Sequence, residues 1–188
     1  WGTRREEDGQ LSFAGQKVTD LAQSFATPSY LFDLDDFAAR AETISSAMAE
    51  EFWEGYGFSG ASVYYAGKAF LCTALGEALT RAGMGIDTAS LGELSVALHP
   101  AMGADPKQIG LHGNNKSLES LRLALRRGIG RIIVDSLGEI DLLQSLCESE
   151  NTTAPVMVRV TTGVHAGGHS FIATAHEDQK FGLSLASG

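Results

Sequence analysis

Cysteine is scarce: two in 188 residues cannot form a disulfide framework. Cys72 and Cys147 stand apart, without the paired spacing of a zinc or redox site. They read as small interior residues of a protein kept reduced, and so as a cytoplasmic one. Basic charge is also short. Fourteen Lys and Arg against 23 Asp and Glu leave a formal net charge of −9, a balance that repels phosphate backbones and argues against nucleic acid as a partner. No apolar run approaches the length that crosses a bilayer, which leaves no membrane partner. Trp1 to Gln10 is too polar and charged for a signal peptide. No P-loop and no nucleophile-elbow serine occur. Gly83-Met84-Gly85 is half of a dinucleotide fingerprint, but it precedes a strand where the fingerprint must follow one.

What the sequence does hold is a cadence. Residues 1–26 read as a polar lead-in with a weak strand or turn, disordered or a surface arm over the first ten. Pro28 keeps Thr27 extended. Asp33 or Asp35 caps a helix whose stripe is Phe37, Ala41, Ile44 and Met48, and Gly55 to Gly60 is a loop. Strands are predicted at Ser62–Ala66, Met84–Asp87, Gln108–Leu111, Arg131–Val134 and Pro155–Val160. Between them lie helical stripes: Leu71, Leu75, Ala78 and Leu79, closed by Gly83; Leu94, Ala97 and Leu98; Leu118, Leu121 and Leu125, closed by Gly128; and Ile140, Leu143 and Leu146. Ser90…Glu93 and Ser136…Glu139 are capping boxes, and Ser117 is a third cap. The units repeat at about 22 to 25 residues, the rhythm of a parallel α/β architecture. Their evenness favours a partial (β/α)8 TIM barrel over an open sheet. A whole barrel takes about 250 residues, so residues 27–188 are expected to be the N-terminal part of one, with about five of eight units. Thr161 to Gly188 is Gly-, His- and Ser-rich, without a helix before Gln179.

In such barrels chemistry sits at the C-terminal strand ends. The first predicted barrel strand ends at Lys68, the second at Asp87. The third runs into His112, the fourth ends at Asp135-Ser136, and the fifth carries Arg159. Lys68 follows the uncharged run Val63 to Gly67. Desolvation would free its amine as a nucleophile of the Schiff-base type; alternatively it ends a strand with its amine in water. Asp135 and Ser136 read as helix caps, Glu93 as a capping-box glutamate, and His112 as a partner for a loop carbonyl. Arg159 within an apolar strand requires an anionic partner. His165, His169 and His176 suggest a metal, but Ala166-Gly167-Gly168 is poor helix and removes the meaning of the i, i+4 spacing; no metal site is assigned.

Tyr65-Ala66-Gly67-Lys68-Ala69-Phe70 resembles the pyridoxal-phosphate lysine motif of the alanine-racemase-like, fold-type III decarboxylases. Gly85-Ile86-Asp87-Thr88-Ala89-Ser90-Leu91-Gly92-Glu93-Leu94 matches their segment after the second strand. Leu111-His112-Gly113-Asn114-Asn115-Lys116-Ser117, Phe171-Ile172 and His176 to Ser184 are similar to the diaminopimelate decarboxylases within that family. The resemblance implies pyridoxal 5′-phosphate held by Lys68 as an internal aldimine. It also implies Asp87, His112 and Arg159 lining the cofactor site, with Glu93 nearby. The implied reaction is decarboxylation of meso-2,6-diaminopimelate to L-lysine, in a site completed across a homodimer. The asparagine-rich turn at 113–115 and the stretch 176–184 speak against the alternative of an ornithine- or arginine-type decarboxylase, and Lys68 against a paralogue that has lost the chemistry altogether. A pyridoxal-phosphate carrier would also keep the lysine. The family's ring-stacking imidazole, glycine-rich phosphate loop and C-terminal catalytic Cys and Tyr have no counterpart in these residues. The chain is therefore expected to be an N-terminal fragment, truncated before the C-terminal β-sandwich and inactive alone.

Overall fold

A computed structural model describes residues 2–162 and 181–185. The chain divides into two compact units, residues 1–63 with 81–83, and residues 64–80 with 84–188.

The first unit opens with an antiparallel meander, β1 (Thr3–Arg5), β2 (Leu11–Phe13) and β3 (Gln16–Lys17), and continues into α1 (Val18–Phe25). Of the two expectations for the first ten residues, disorder or a surface arm, the segment is the second: ordered from Gly2 on and exposed from Thr3 to Leu11. Its hairpin is made by short-range bonds that hydrophobic periodicity does not register. Glu6 N–H donates to Gln10, Gly9 N–H donates to Glu6 with Gly9 at φ +81°, and Lys17 pairs with Asp8. In α2 (Leu34–Glu50) Asp33 is the cap, accepting from the Asp36 N–H. Of the predicted stripe only Ala41 is buried, whereas Ile44 and Met48 are exposed. A single π-turn, Glu51–Gly55, follows.

In the second unit five strands form one parallel sheet in chain order: β4 (Tyr64–Ala66), β5 (Gly85–Thr88), β6 (Ile109–Leu111), β7 (Arg131–Val134) and β8 (Val156–Val158). Helices α3 (Thr73–Arg81), α4 (Leu91–Ala97), α5 (Leu118–Arg127) and α6 (Leu137–Glu150) connect them. Each strand pairs with the next in sequence, the order of the expected partial barrel.

Side chains alternate with the pleat. Ile86, Ile109, Leu111, Ile132 and Val134 point to one face and are all but fully buried, together with Leu75, Leu79, Leu94 and Leu121 from the helices. Tyr64, Gly85, Asp87, Gly110 and Arg131 alternate with that set. On their face Gly85 and Gly110 clear a path, and the Arg131 guanidinium lies 3.7 Å from the Tyr64 ring centroid, although β5 and β6 separate their strands. A Cβ on Gly85 would lie 2.3 Å from the Tyr64 ring.

Ser90, Ser117 and Ser136 each accept from the N–H three residues on, and Gly128 at φ +61° closes α5, as the caps predict. Three expectations are corrected. Leu118 is exposed, because it occupies the first helical turn, before the buried stripe begins. The fifth strand breaks at Arg159 and resumes as β9 (Val160–Thr161), which pairs in parallel with β10 (Leu183–Ser184) instead of continuing β8. Cys72 and Cys147 are half-buried free thiols, not core residues. Among the described residues no helix is long and apolar enough to cross a membrane.

Candidate active site

The turn that presents Lys68 is stitched at both ends. Ala69 N–H donates to Ala66 C=O (3.1 Å), and Gly67 N–H donates to Asp87 C=O (2.8 Å), tying the end of β4 to the end of β5. Gly67 suits this place because a Cβ there would lie 3.0 Å from the Asp87 carbonyl oxygen. Tyr65 donates its hydroxyl to Phe70 C=O (2.9 Å) and closes the turn from the other side. Burial holds that phenol above its ordinary pKa, so Tyr65 stays a neutral donor.

The neighbouring strand ends are fixed in the same manner. Thr88 Oγ1 donates to Gly110 C=O, and His112 N–H donates to Thr88 C=O, extending the β5–β6 ladder to the imidazole. Beyond it Gly113 turns at φ +111°. Lys116 then reaches back, its Nζ donating to Gly113 C=O (2.7 Å), Ile133 C=O (2.5 Å) and Glu139 Oε1 (2.5 Å). Both side chains of this ion pair are buried. Arg159 N–H donates to Val134 C=O and carries its side chain past the end of β7.

These loops surround a cavity of about 210 Å³ lined by Lys68, Asp87, His112 and Arg159, with Gly113 and Phe181 completing its wall. The four residues singled out in the sequence therefore meet in one place. His112 Nε2 lies 3.3 Å from Asp87 Oδ2, while Asp87 Oδ1 is buried without a hydrogen-bond partner. The Arg159 guanidinium packs 4.5 Å from the Phe181 ring centroid. A larger groove, about 310 Å³, lies between α6 and β8, lined by residues such as Leu143 and Val156. It is apolar, carries no ionisable group other than the Cys147 thiol, and does not reach the strand ends that hold Lys68.

Gly110 is the floor beneath Asp87. A Cβ at Gly110 would sit 2.2 Å from Asp87 Oδ1. Gly110→Ala is expected to push the carboxylate off its place and to cost about 1–3 kcal/mol in urea unfolding, as overpacked cores do. It should also shift the His112 imidazole resonances; unchanged resonances would mean that the carboxylate had room to spare.

Some of the reading changes. Glu93 does not return to the Ser90 N–H as a reciprocal box requires; it accepts from the Ala89 N–H (2.6 Å), one residue earlier, and it is absent from the cavity wall. Ser136 alone caps α6. Asp135, also read as a cap, is 4% exposed and lies with Oδ1 3.6 Å from Arg159 Nε. Asp135, placed at a strand end but read as a cap, was missed as the partner of Arg159, and Lys116 behind Gly113 and Phe181 on the cavity wall were not singled out. A sequence signal existed for the first: a helix needs one cap, and Asp135-Ser136 offers two. His165, His169 and His176 lie outside the described residues. Among the described residues no group of His, Cys, Asp and Glu could hold a metal.

A family description, "pyridoxal-dependent decarboxylase, pyridoxal binding domain", matches residues 35–187, and the chain belongs to that family. Among curated proteins it is 45% identical over 184 residues to diaminopimelate decarboxylase of Mycobacterium leprae (98% of this chain, 37% of that protein). It is 44% identical over 186 residues to the Mycobacterium bovis enzyme of the same name (99% of this chain, 39% of that protein). Among solved structures it is similar to diaminopimelate decarboxylase of M. jannaschii in complex with L-lysine, with TM-score 0.81 and 28% identity over 99% of this chain and 42% of that one. The chain thus spans about two fifths of the length of its relatives.

Proposed function

We propose that the intact protein is a pyridoxal-phosphate-dependent carboxy-lyase that converts meso-2,6-diaminopimelate to L-lysine and carbon dioxide. Residues 27–188 are, on this reading, the N-terminal part of its cofactor-binding barrel, with 1–26 as a lead-in. The observation that carries the proposal is the convergence of Lys68, Asp87, His112 and Arg159 on one cavity. Mycobacterial relatives of that name support the choice of substrate.

The donor set suits the cofactor. Lys68 offers a primary amine for covalent attachment of the aldehyde. Asp87 sets a carboxylate on the cavity wall, with Oδ2 toward His112 and Oδ1 buried against Gly110. Arg159 offers a planar fork for a phosphate or carboxylate. Bound pyridoxal phosphate would supply an electron sink for the pair left when carbon dioxide departs. This chain's residues would do the rest. Lys68 anchors and releases. Asp87, steadied by His112, keeps a negative charge on one wall. Arg159, backed by Phe181, holds an anionic group on the other. A homodimer and a cytoplasmic location belong to the same proposal.

The test is carbon dioxide release by the full-length protein, saturated with pyridoxal phosphate, from meso-diaminopimelate, L-ornithine and L-arginine. Release from the first alone is expected. Turnover of ornithine or arginine in preference would overturn the substrate, and failure to bind pyridoxal phosphate would overturn the reaction class.

A further inference from the structure

Asp135 lies at the end of β7, just before the cap of α6, and its side chain is 3% exposed. Its Oδ2 is buried and has no hydrogen-bond partner. Its Oδ1 faces Arg159 Nε at 3.6 Å, beyond ordinary hydrogen-bond length but well within ion-pair range. A carboxylate taken out of water in this way is costly unless a cation answers it, and Arg159 is the cation that does. Asp135 does not line the cavity; it stands behind Arg159, which does.

The cavity offers Arg159 a competing anion. Asp87 shares its wall as a part-exposed carboxylate whose Oδ2 faces His112 at 3.3 Å. A long arginine side chain released from behind can turn toward that carboxylate, and the resulting pair would fill the space a ligand needs. Phe181 supports the guanidinium through its ring face, 4.5 Å away, but a ring face exerts little directional pull.

We propose that Asp135 is a positioning residue, which holds the Arg159 guanidinium at the cavity wall and keeps it from closing onto Asp87. The proposal rests on the cofactor reading above for its ligand, pyridoxal 5′-phosphate, but not for its geometry. Asp135 never touches the ligand. Its influence passes through one arginine.

The experiment uses the full-length protein and four forms: wild type, Asp135→Asn, Arg159→Met and the double variant. Pyridoxal 5′-phosphate affinity is measured by equilibrium dialysis. Asp135→Asn is expected to weaken binding about tenfold, within the range of coupling that contacting residues show in mutant cycles. In the Arg159→Met background the same change should alter affinity less than about twofold. A purely structural role would lower affinity equally in both backgrounds, and that result overturns the proposal, as does unchanged affinity in the single variant. If Asp135→Asn does not fold, Asp135→Glu takes its place and is read by the same rule. A ligand-free readout separates this proposal from the functional one. The Nε–H resonance of Arg159, assigned through Arg159→Met, should shift in Asp135→Asn, because the charge facing it at 3.6 Å is removed; an unmoved resonance overturns the proposal. Should the wild type bind no pyridoxal phosphate, the functional reading fails, and that resonance alone decides for or against Asp135.

Discussion

Lys68→Ala in the full-length protein is expected to abolish covalent retention of pyridoxal phosphate and the near-visible absorbance that accompanies it. Carbon dioxide release should fall by more than the roughly 10²–10⁴-fold that one acid–base group is worth, because the anchor and the released amine are lost together. The fold should survive. Among the described residues Lys68 has no side-chain hydrogen-bond or ion-pair partner, and the turn around it is held by main-chain bonds from Gly67 and Ala69 and by the Tyr65 hydroxyl. Absorbance after dialysis, thermal unfolding and carbon dioxide release on one preparation make the check. Retention of the absorbance by a folded Lys68→Ala protein would place the covalent anchor elsewhere.

Lys116→Met should have the largest effect on stability. The lysine spends all three donors, on the buried Glu139 carboxylate and on the main-chain carbonyls of buried Ile133 and half-buried Gly113. Its partner Glu139 is 8% exposed. Removing the cation alone leaves a buried carboxylate uncompensated, a loss of about 3–5 kcal/mol in comparable pairs. Replacing Glu139 with leucine as well should recover part of this, since an apolar pair is often tolerated. Recovery should stay incomplete, because the Gly113 and Ile133 carbonyls would still lack a donor, at about 1–3 kcal/mol for each group left unsatisfied. Urea unfolding of the full-length protein reads all three forms. A single-variant loss below about 1 kcal/mol, the value of an exposed pair, would mean that water reaches Lys116 in solution. Since Gly113 lines the cavity, a loosened Lys116 also frees the wall beside His112.

The barrel rhythm was legible because it is written locally. Serine caps and a C-terminal glycine act within four residues, and short β-branched runs such as Arg131–Val134 announce buried parallel strands. The meeting of Lys68, Asp87, His112 and Arg159 was legible for a related reason: parallel strands in sequential order bring all their C-terminal ends to one rim. What escaped was pairing at a distance. Glu139 satisfies a capping pattern, and nothing in that pattern says its carboxylate turns instead to a lysine 23 residues earlier. Asp135 has the same disguise beside Ser136. Phe181 arrives by the pairing of β9 with β10, two-residue strands too short to leave a periodic trace. The meander at residues 3–17 was obscured because its strands are two or three residues long and mostly exposed.

The mixed charge of the cavity wall bears on the local electric field. Over its whole length the chain carries −9, so an anionic metabolite approaching from afar meets repulsion. At the cavity, however, Lys68 and Arg159 stand against Asp87 on the wall and Asp135 behind it, two charges of each sign. The cavity is thus a break in an acidic surface, and within about a Debye length its lysine and arginine relieve the repulsion that a doubly charged phosphate ester meets elsewhere.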